Sequence, residues 1–145
     1  MLGINRLIKM IPEGRVFALE SALVEYWLCN YGDYYVVLLD NSIPKKFISR
    51  CFHFIPNPSF GDEDIIPHPK YPNLRITTPE RTICEMIACD RRDDFIIQAL
   101  QNYVIFKDNP SYDENKLFER AKHYGVYDKL MQYLEWANED VEDMC

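Results

Sequence analysis

The side chains best suited to bind a metal ion in this sequence are its cysteines and histidines, and their positions do not predict a site. Cys84 and Cys89 are the two cysteines nearest each other. On a helix, five residues turn the second side chain about 140° away from the first. The three histidines, His53, His68 and His123, fall in different predicted elements, so only the tertiary fold could bring them together. We expect no metal site.

Glycines and serines do not have the spacing that nucleotide binding or acyl transfer requires. The five glycines are scattered, and none begins a phosphate-binding loop. No serine has glycines two residues before and two residues after it, as a nucleophile on a strand-to-helix turn needs. The sequence therefore predicts no cofactor, no small-molecule ligand and no catalytic residues, so we expect that the chain is not an enzyme.

The acidic run DED at residues 62–64 favours an alternative, a metal-dependent nuclease-like or nucleic-acid-processing enzyme. In such sites, carboxylates and a lysine surround a divalent ion. The alternative requires Asp40 to meet this run in space, together with Lys45 or Lys46. No lysine follows the run at close spacing, and residues 40–42 are also typical of an ordinary turn.

Charge argues against binding of nucleic acid by this domain alone. The formal net charge is −7 and the sequence pI is about 4.9, whereas nonspecific affinity for DNA comes mainly from lysine and arginine. A further alternative, a transcriptional regulator subunit, would need one face that collects the clustered basic residues. These are Lys45, Lys46, Arg50, Arg91 and Arg92.

The sequence also predicts a cytoplasmic protein without membrane contact. We find no signal-peptide pattern and no window of roughly 18 apolar residues, the length that a membrane-spanning helix needs. Five cysteines are an odd number in a chain large enough to be stable without disulfides. We expect reduced thiols.

The segment TTPERT, residues 77–82, is the clearest local signal of a helix start. Thr78 is a preferred N-cap residue, and Pro79 suits the first helical position. Glu80 complements the positive end of the helix dipole. We therefore expect a helix to begin immediately after Thr78.

Two arginines, Arg75 and Arg81, flank this helix start. Either guanidinium could hold the helix start against the sheet through an ion pair with Glu80 or Glu85. The alternative is that the junction rigidly presents a surface to a partner protein. The sequence leaves both interpretations open.

The first half of the chain is predicted to be a small sheet with one helix. Residues 15–30 place apolar side chains on one side at helical spacing. Residues 34–40 are too continuously apolar for a half-exposed strand, so they predict a central strand. In residues 47–55, side chains alternate between two faces, which predicts a second strand. Prolines restrict the runs 64–66 and 74–76 to brief or edge strands.

Two helices are predicted to open the second half. The first runs from Thr78 to about Asp90. Asp93 or Asp94 is expected to cap the second, whose inner side is apolar. The Asn-Pro pair at residues 109–110 ends it.

Two more helices are predicted to complete the second half. The sequence SYDE at residues 111–114 has the spacing of a capping box, and Gly125 suits the C-terminal cap of that third helix. The last helix starts at Val126 or Asp128 and fades into an acidic tail, residues 138–145. The predicted fold class is α+β: one domain, 1–145, with a small mixed sheet, an N-terminal helix and a C-terminal bundle of about four helices.

Three segments in this order resemble the C-terminal region of AbiEi-family antitoxins from type IV toxin-antitoxin systems. They are a Thr-Thr-Pro-x-Arg-Thr element at residues 77–82, an Ala-x-x-Tyr-Gly-Val element at 121–126 and a leucine-rich end at 130–134. The helix at 20–30 takes the place of the family's Ser-Ala-Leu helix, so the likeness covers roughly residues 14–137. The candidate family-motif or partner-surface residues are Arg75, Thr78, Pro79, Glu80, Arg81, Tyr124 and Gly125.

The resemblance implies a partner, an AbiEii-like nucleotidyltransferase toxin that the antitoxin counteracts in abortive infection, a defence against phage. It implies no catalysis by this chain. Full-length relatives also carry an N-terminal winged helix-turn-helix that binds DNA. About 14 residues precede the matching region here, too few for that domain, so the resemblance implies no autoregulation by this chain alone.

Overall fold

The computed structural model describes residues 14–29, 36–39, 52–55 and 60–143. The strands in these residues form one five-stranded sheet in the order β3-β2-β1-β5-β4. They are β1 (Val16–Phe17), β2 (Val36–Leu39), β3 (Phe52–Ile55), β4 (Ile65–Pro67) and β5 (Arg75–Thr77). Pairs β2·β3 and β1·β5 are parallel, whereas β1·β2 and β4·β5 are antiparallel, so the sheet is mixed, as predicted.

The two-residue strand β1 joins the two halves of this sheet. Val16 pairs with Leu39 on one side and with Arg75 on the other. The Arg75 N–H donates to Arg15 O at 2.8 Å, and the Gly14 N–H donates to Asn73 O at 2.7 Å. These bonds extend the contact between β1 and β5 beyond the strand itself.

The helix predicted over residues 15–30 is wrong in its extent. Val16 and Phe17 form β1, and helix α1 covers only Leu19–Glu25. Apolar β-forming residues at the start of the segment find strand partners on both sides, so sheet pairing overrides the helical periodicity. Trp27, one of the apolar residues of the segment, is 79% exposed, with a left-handed backbone at φ 59°.

The other strand predictions are largely confirmed. The run 34–40 contains β2, which has a paired strand on each side, although β1 holds the middle position. The side-chain burial of β2 lies outside the described residues. The run 47–55 contains β3, and its first part, 47–51, also lies outside them. The short runs near 64–66 and 74–76 form edge strand β4 and brief strand β5.

Four longer helices follow the sheet, which confirms the predicted α+β class. They are α2 (Pro79–Ala88), α3 (Asp93–Leu100), α4 (Glu114–His123) and α5 (Tyr127–Asp143). Buried side chains from α1 and all four helices share one apolar core, which includes Leu23, Ile83, Leu100, Leu117 and Leu130. Within the described residues, no helix combines the length and apolar character that crossing a membrane requires.

Three details of these helices differ from the sequence predictions. Arg92, rather than Asp93 or Asp94, holds the N-cap position of α3, and it makes no side-chain capping bond. Asp113, rather than Ser111, caps α4 by accepting from Asn115 N–H at 2.9 Å. Helix α5 continues to Asp143 instead of fading at residue 138. Leu134, Ala137 and the partly buried Val141 keep helical spacing, so the acidic residues between them do not end it.

Helix α3 continues as a π-helical turn, Gln101–Ile105, which the sequence did not predict. Its consecutive side chains reach different parts of the fold. Gln101 Nε2 donates to Asp140 Oδ2 at 2.7 Å, and Asn102 Nδ2 donates to Leu28 O at 2.9 Å. The turn therefore links α5 to the segment that follows α1.

Candidate functional site

The start of α2 is held to the end of β5 by hydroxyl groups. Thr78 Oγ1 accepts from Arg81 N–H at 3.3 Å, which confirms Thr78 as the N-cap residue, and Pro79 takes the first helical position. Thr82 Oγ1 lies 2.6 Å from Thr77 Oγ1 and donates to Thr78 O at 2.7 Å. Strand and helix are therefore joined without a flexible linker.

Arg81 is a fully buried cation in this helix start. Its guanidinium donates to Gly61 O at 2.8 Å, to Glu63 O at 2.5 Å and to Glu85 Oε2 at 3.2 Å. It also lies 5.8 Å from the centroid of the Phe60 ring. Of the two ion pairs that the sequence left open for this arginine, the structure forms the one with Glu85.

Burial raises the pKa of Glu85, and the neighbouring Arg81 guanidinium opposes that rise. Glu85 is 2% exposed. A buried ion pair of this kind becomes costly when one partner is removed, because the other is left as an unpaired charge. Arg81 therefore stabilises the connection between α2 and residues 60–64.

Glu80 is also buried, and it contacts a different part of the fold. Its Oε2 accepts from Tyr103 Oη at 2.6 Å, and its Oε1 lies 3.6 Å from Lys116 Nζ. The start of α2 is thereby connected to the π-helical turn and to α4. Glu80 and Arg81, 4% and 0% exposed, cannot contact a partner protein in this conformation, which corrects the partner-surface interpretation for these two residues.

Arg75 contacts the sheet rather than a carboxylate. Its side chain is exposed, and its Nε donates to Gly14 O at 3.0 Å. This bond reinforces the pairing of β5 with β1. Of the two arginines that flank the helix start, Arg75 is the one that a partner could reach.

Tyr124, at the end of α4, packs on the same short segment that Arg81 binds. Its ring stacks on Phe60 with centroids 4.1 Å apart, and its hydroxyl donates to Asp64 Oδ2. Burial and this hydrogen bond raise the pKa of Tyr124 to about 12. The hydroxyl therefore stays protonated at neutral pH and serves as a structural donor.

Two further side chains of α4 contact this segment. Arg120 lies 2.7 Å from Asp64 Oδ2 and 3.0 Å from Glu63 Oε2. His123 Nε2 lies 2.6 Å from the same Glu63 oxygen. The sequence analysis did not select Arg120 and considered His123 only as a metal ligand, although their spacing relative to Tyr124 places all three at the C-terminal end of one helix.

Gly125 then allows the chain to turn into α5. Its φ of +74° is left-handed, and no heavy atom lies within 4 Å of the position that a Cβ would occupy. Val126 N–H donates to Ala121 O at 2.9 Å, and Gly125 N–H donates to Lys122 O at 3.2 Å. This is the glycine cap predicted from the sequence.

Two of the three motifs that carry the family resemblance therefore converge on residues 60–64. Arg81 binds the backbone of this segment, whereas Tyr124 binds its side chains. We call the start of α2, residues 60–64 and the end of α4 the junction. Arg81 and Tyr124 are 43 positions apart in sequence, and both bind the same short segment.

An open cavity of about 420 Å³ lies on the surface of the junction. Its lining consists of Phe60, Gly61, Asp62, Glu63, His123 and Tyr124. The pair formed by His123 and Glu63 resembles the orienting half of an acid–base dyad. Among the described residues of the lining, Tyr124 alone carries a hydroxyl, and it is already hydrogen-bonded to Asp64, so these residues supply no activated nucleophile.

The structure tests the alternatives only in part. Asp64 is held by Arg120 and Tyr124, but Asp40, Lys45 and Lys46 lie outside the described residues, so the nuclease alternative stays a prediction. No group of three potential metal ligands occurs within residues 14–29 and 60–143 and the two described strands between them.

The structure also shows the contacts of two candidate basic residues. Arg91 binds Glu20 through two hydrogen bonds of 2.6 and 3.0 Å, and Arg92 pairs with Asp94 at 2.8 Å. The other proposed basic residues, at 45, 46 and 50, lie outside the described residues.

Cys84 is buried, and burial raises the pKa of its thiol to about 12, which keeps it unreactive at neutral pH.

Comparison with known proteins does not assign the chain. No family model matches it, and a search of curated proteins found no similar sequence. The resemblance to AbiEi-type antitoxins thus depends on the sequence motifs alone.

Proposed function

We propose that this chain is a non-catalytic, antitoxin-like domain that counteracts a nucleotidyltransferase toxin of a type IV toxin-antitoxin system. The observation that supports the proposal is the convergence of two of the three motifs on residues 60–64. Separate segments that resemble one family are expected to meet when they maintain the same local structure. A chance likeness would have no reason to bring them together.

The contacts of the motif residues also support a role without catalysis. Arg81 and Glu80 are buried and bonded within the fold, and the Tyr124 hydroxyl is bonded to Asp64. Catalytic groups generally face a cavity in which a substrate can reach them. We infer that these residues maintain the shape of the domain, which then acts on its partner through its surface.

The proposal places the protein in the cytoplasm, in phage defence by abortive infection, beside a toxin encoded by a neighbouring gene. DNA binding by this domain alone remains disfavoured by its net charge of −7. Any repression of transcription would then depend on another DNA-binding protein.

Growth of cells that express the neighbouring nucleotidyltransferase tests the proposal. The toxin is induced alone, with this chain, or as a catalytically inactive toxin that sets the growth baseline. We expect the chain to restore growth toward that baseline. If growth stays arrested while the chain is soluble and the toxin is active, the antitoxin function is wrong.

A further inference from the structure

A second open cavity, of about 570 Å³, lies between the end of α1 and the segment that follows β4. Its described lining consists of Val24, Glu25, Trp27, Cys29, Pro69 and Lys70. The volume is within the range of about 300–1,000 Å³ that small-molecule sites occupy. None of these residues belongs to the junction, and we call this space the α1 cavity.

Trp27 occupies a position of the helix end at which glycine is usual. Leu28 N–H donates to Leu23 O at 2.9 Å, and Trp27 N–H donates to Val24 O at 3.0 Å. These two bonds form a Schellman motif, whose left-handed residue is Trp27, with a φ of 59°. A side chain with a Cβ destabilises this conformation, and Trp27, 79% exposed, gains little burial in return. Folding stability therefore does not explain a tryptophan here, whereas contact with a bound apolar group would.

Glu25 has hydrogen-bonding capacity that the fold does not use. Its one polar contact among the described residues is His68 Nε2, at 3.7 Å, which is too long for a hydrogen bond. His68 Nδ1 accepts from the N–H groups of Lys70 and Tyr71, so the proton of the neutral ring lies on Nε2. That nitrogen is buried and has no hydrogen-bond partner in the described parts of the chain. A buried donor and a carboxylate of the cavity thus lie side by side without completing a bond.

Lys70 brings the opposite charge to the same cavity. Its ammonium group lies 5.3 Å from the centroid of the Tyr71 ring and forms no ion pair with a described residue. The Lys70 charge is nonetheless close enough to oppose the rise in the pKa of Glu25 that burial causes. Glu25 and Lys70 therefore line one cavity near each other but unpaired. Two separated charges of opposite sign are complementary to a ligand that carries both.

We propose that the α1 cavity binds a small zwitterion with an apolar body, which is the chemistry of an apolar α-amino acid. Glu25 accepts hydrogen bonds from the ammonium group of the ligand, and Lys70 pairs with its carboxylate. The Trp27 ring, together with Val24 and Pro69, covers the apolar side chain. This site is independent of the proposed antitoxin function. The sequence predicted no small-molecule ligand from the absence of phosphate-binding and nucleophile motifs, neither of which such a site requires.

Ligands with a single charge fit this lining less well. An amine pairs with Glu25 but is repelled by Lys70, and a carboxylic acid has the reverse difficulty. An uncharged ligand leaves both side chains unpaired while it displaces the water around them. A zwitterion has no net charge, so the net charge of −7 on the chain neither attracts nor repels it at a distance.

Titration of the ¹⁵N-labelled full chain at pH 7, followed by two-dimensional NMR of its amide groups, tests the inference. The probes are L-leucine and L-phenylalanine. Each is compared with the amine that lacks its carboxylate and with the carboxylic acid that lacks its amino group. These two analogues keep the apolar body and remove one charge each.

The test variants are Glu25→Gln and Lys70→Gln. Glu119→Gln and Lys122→Gln are the matched controls, because they remove the same charges from exposed positions on α4. Lys122 also resembles Lys70 in its surroundings, since its ammonium group lies 4.9 Å from the centroid of the Tyr127 ring.

We expect at least one of the two amino acids to cause saturable shifts in residues 24–29 and 68–71. Its singly charged analogues should bind about tenfold more weakly, and each test variant should weaken binding of the amino acid by a similar factor. The controls should bind like the wild type. Trp27→Gly should weaken binding several-fold while its melting temperature stays equal or rises, because glycine adopts the left-handed conformation readily.

Three results would overturn the inference. The first is the absence of saturable shifts in these residues with either amino acid up to about 20 mM. The second is equal affinity for an amino acid and for its singly charged analogues. The third is wild-type affinity in both Glu25→Gln and Lys70→Gln. None of these results bears on the growth assay, so the antitoxin proposal is tested separately.

Discussion

The last turns of α4 and α5 carry opposite charges, and the difference separates residues that hold the fold from residues available to a partner. In α4 the last turn contains Arg120, Lys122 and His123, which suits the helix dipole. Arg120 and His123 also contact Glu63. In α5 the charges oppose the dipole, and Glu135 and Glu139 have no basic partner among the described residues. Unfavourable local charge without internal compensation is typical of surfaces kept for function.

Replacement of Arg81 should produce the largest effect at the junction. Arg81→Met leaves Glu85 as an unpaired buried carboxylate and should lower the free energy of unfolding by about 3–5 kcal/mol. Urea denaturation at pH 7 measures this change. The double variant Arg81→Met/Glu85→Leu should recover part of the loss, because it removes the orphaned charge as well. A loss below about 1 kcal/mol for the single variant would mean that the pair does not hold the junction together.

Gly125→Val should be the next largest change. Since open space surrounds the Cβ position, only the left-handed backbone should destabilise the variant. The free energy of unfolding should fall by about 1–2 kcal/mol for a residue with a Cβ. Gly125→Asn should cost less, because asparagine tolerates this conformation better. Thermal denaturation of both variants makes the comparison. Equal stability of the two would show that the cap relaxes to another conformation.

His68 extends the comparison to a buried imidazole whose Nδ1 is hydrogen-bonded in the neutral form, whereas its Nε2 has no hydrogen-bond partner among the described residues. Its Nδ1 accepts from the N–H groups of Lys70 and Tyr71 at 3.0 and 3.2 Å, and its Nε2 lies 3.7 Å from Glu25. Burial and the Lys70 charge lower the pKa of His68. Below about pH 6.5 the unfolded chain takes up a proton that the folded chain resists, so stability present at pH 7 is lost as the pH falls.

The contribution of His68 to unfolding has a slope of at most about 1.4 kcal/mol per pH unit. His68→Asn retains a hydrogen-bond acceptor near the same two amides but does not titrate. Burial raises the pKa of Glu25, which acts in the opposite direction and is present in both the wild type and the variant. Denaturation at pH 7 and pH 5 should therefore show that the free energy of unfolding falls less on acidification in His68→Asn than in the wild type. Equal losses would assign the acid sensitivity to other groups.

Thr78→Ala tests the weaker interactions of the junction. Loss of the N-cap acceptor should lower the free energy of unfolding by about 1 kcal/mol. Thr78→Ser keeps the hydroxyl and should stay close to the wild type. An unchanged urea midpoint in Thr78→Ala would contradict the capping role.

Glu135→Gln/Glu139→Gln should have the smallest effect on stability, and in the opposite direction. Removal of negative charge from the C-terminal part of α5 should leave the melting temperature unchanged or slightly raise it. Thermal denaturation at low salt measures the change. A fall of several degrees would mean that Glu135 and Glu139 stabilise the domain, and the contrast between the two helices would be lost.

Local signals in the sequence predicted much of the second half of the chain. The Thr78 cap, the glycine turn at Gly125 and the four helices depend on residues close to each other in sequence, where backbone preferences decide the outcome. The first half of the chain was harder to predict from the sequence. Val16 and Phe17 match a helical pattern, yet they form a strand because β2 and β5 supply partners.

The junction could be predicted only in part for the same reason. Sequence indicated that Arg81 pairs with a glutamate, but Phe60, Arg120 and His123 reach the site through the tertiary fold. The acidic run at residues 62–64 favoured a metal-binding alternative, and in the structure Asp64 forms an ion pair with Arg120 and accepts a hydrogen bond from Tyr124. Carboxylates in a row carry no information on whether a cationic side chain or an ion will neutralise them.

The π-helical turn Gln101–Ile105 bears on how this sequence should align with its relatives. A π-turn holds one residue more than an α-helical turn in nearly the same length. Gln101, Asn102 and Tyr103 each contact a different neighbour. Deletion of one residue here would convert the π-turn into an ordinary α-helical turn, and the three consecutive side chains could no longer reach these three neighbours. Relatives with an ordinary α-helix should therefore show a one-residue gap at this position.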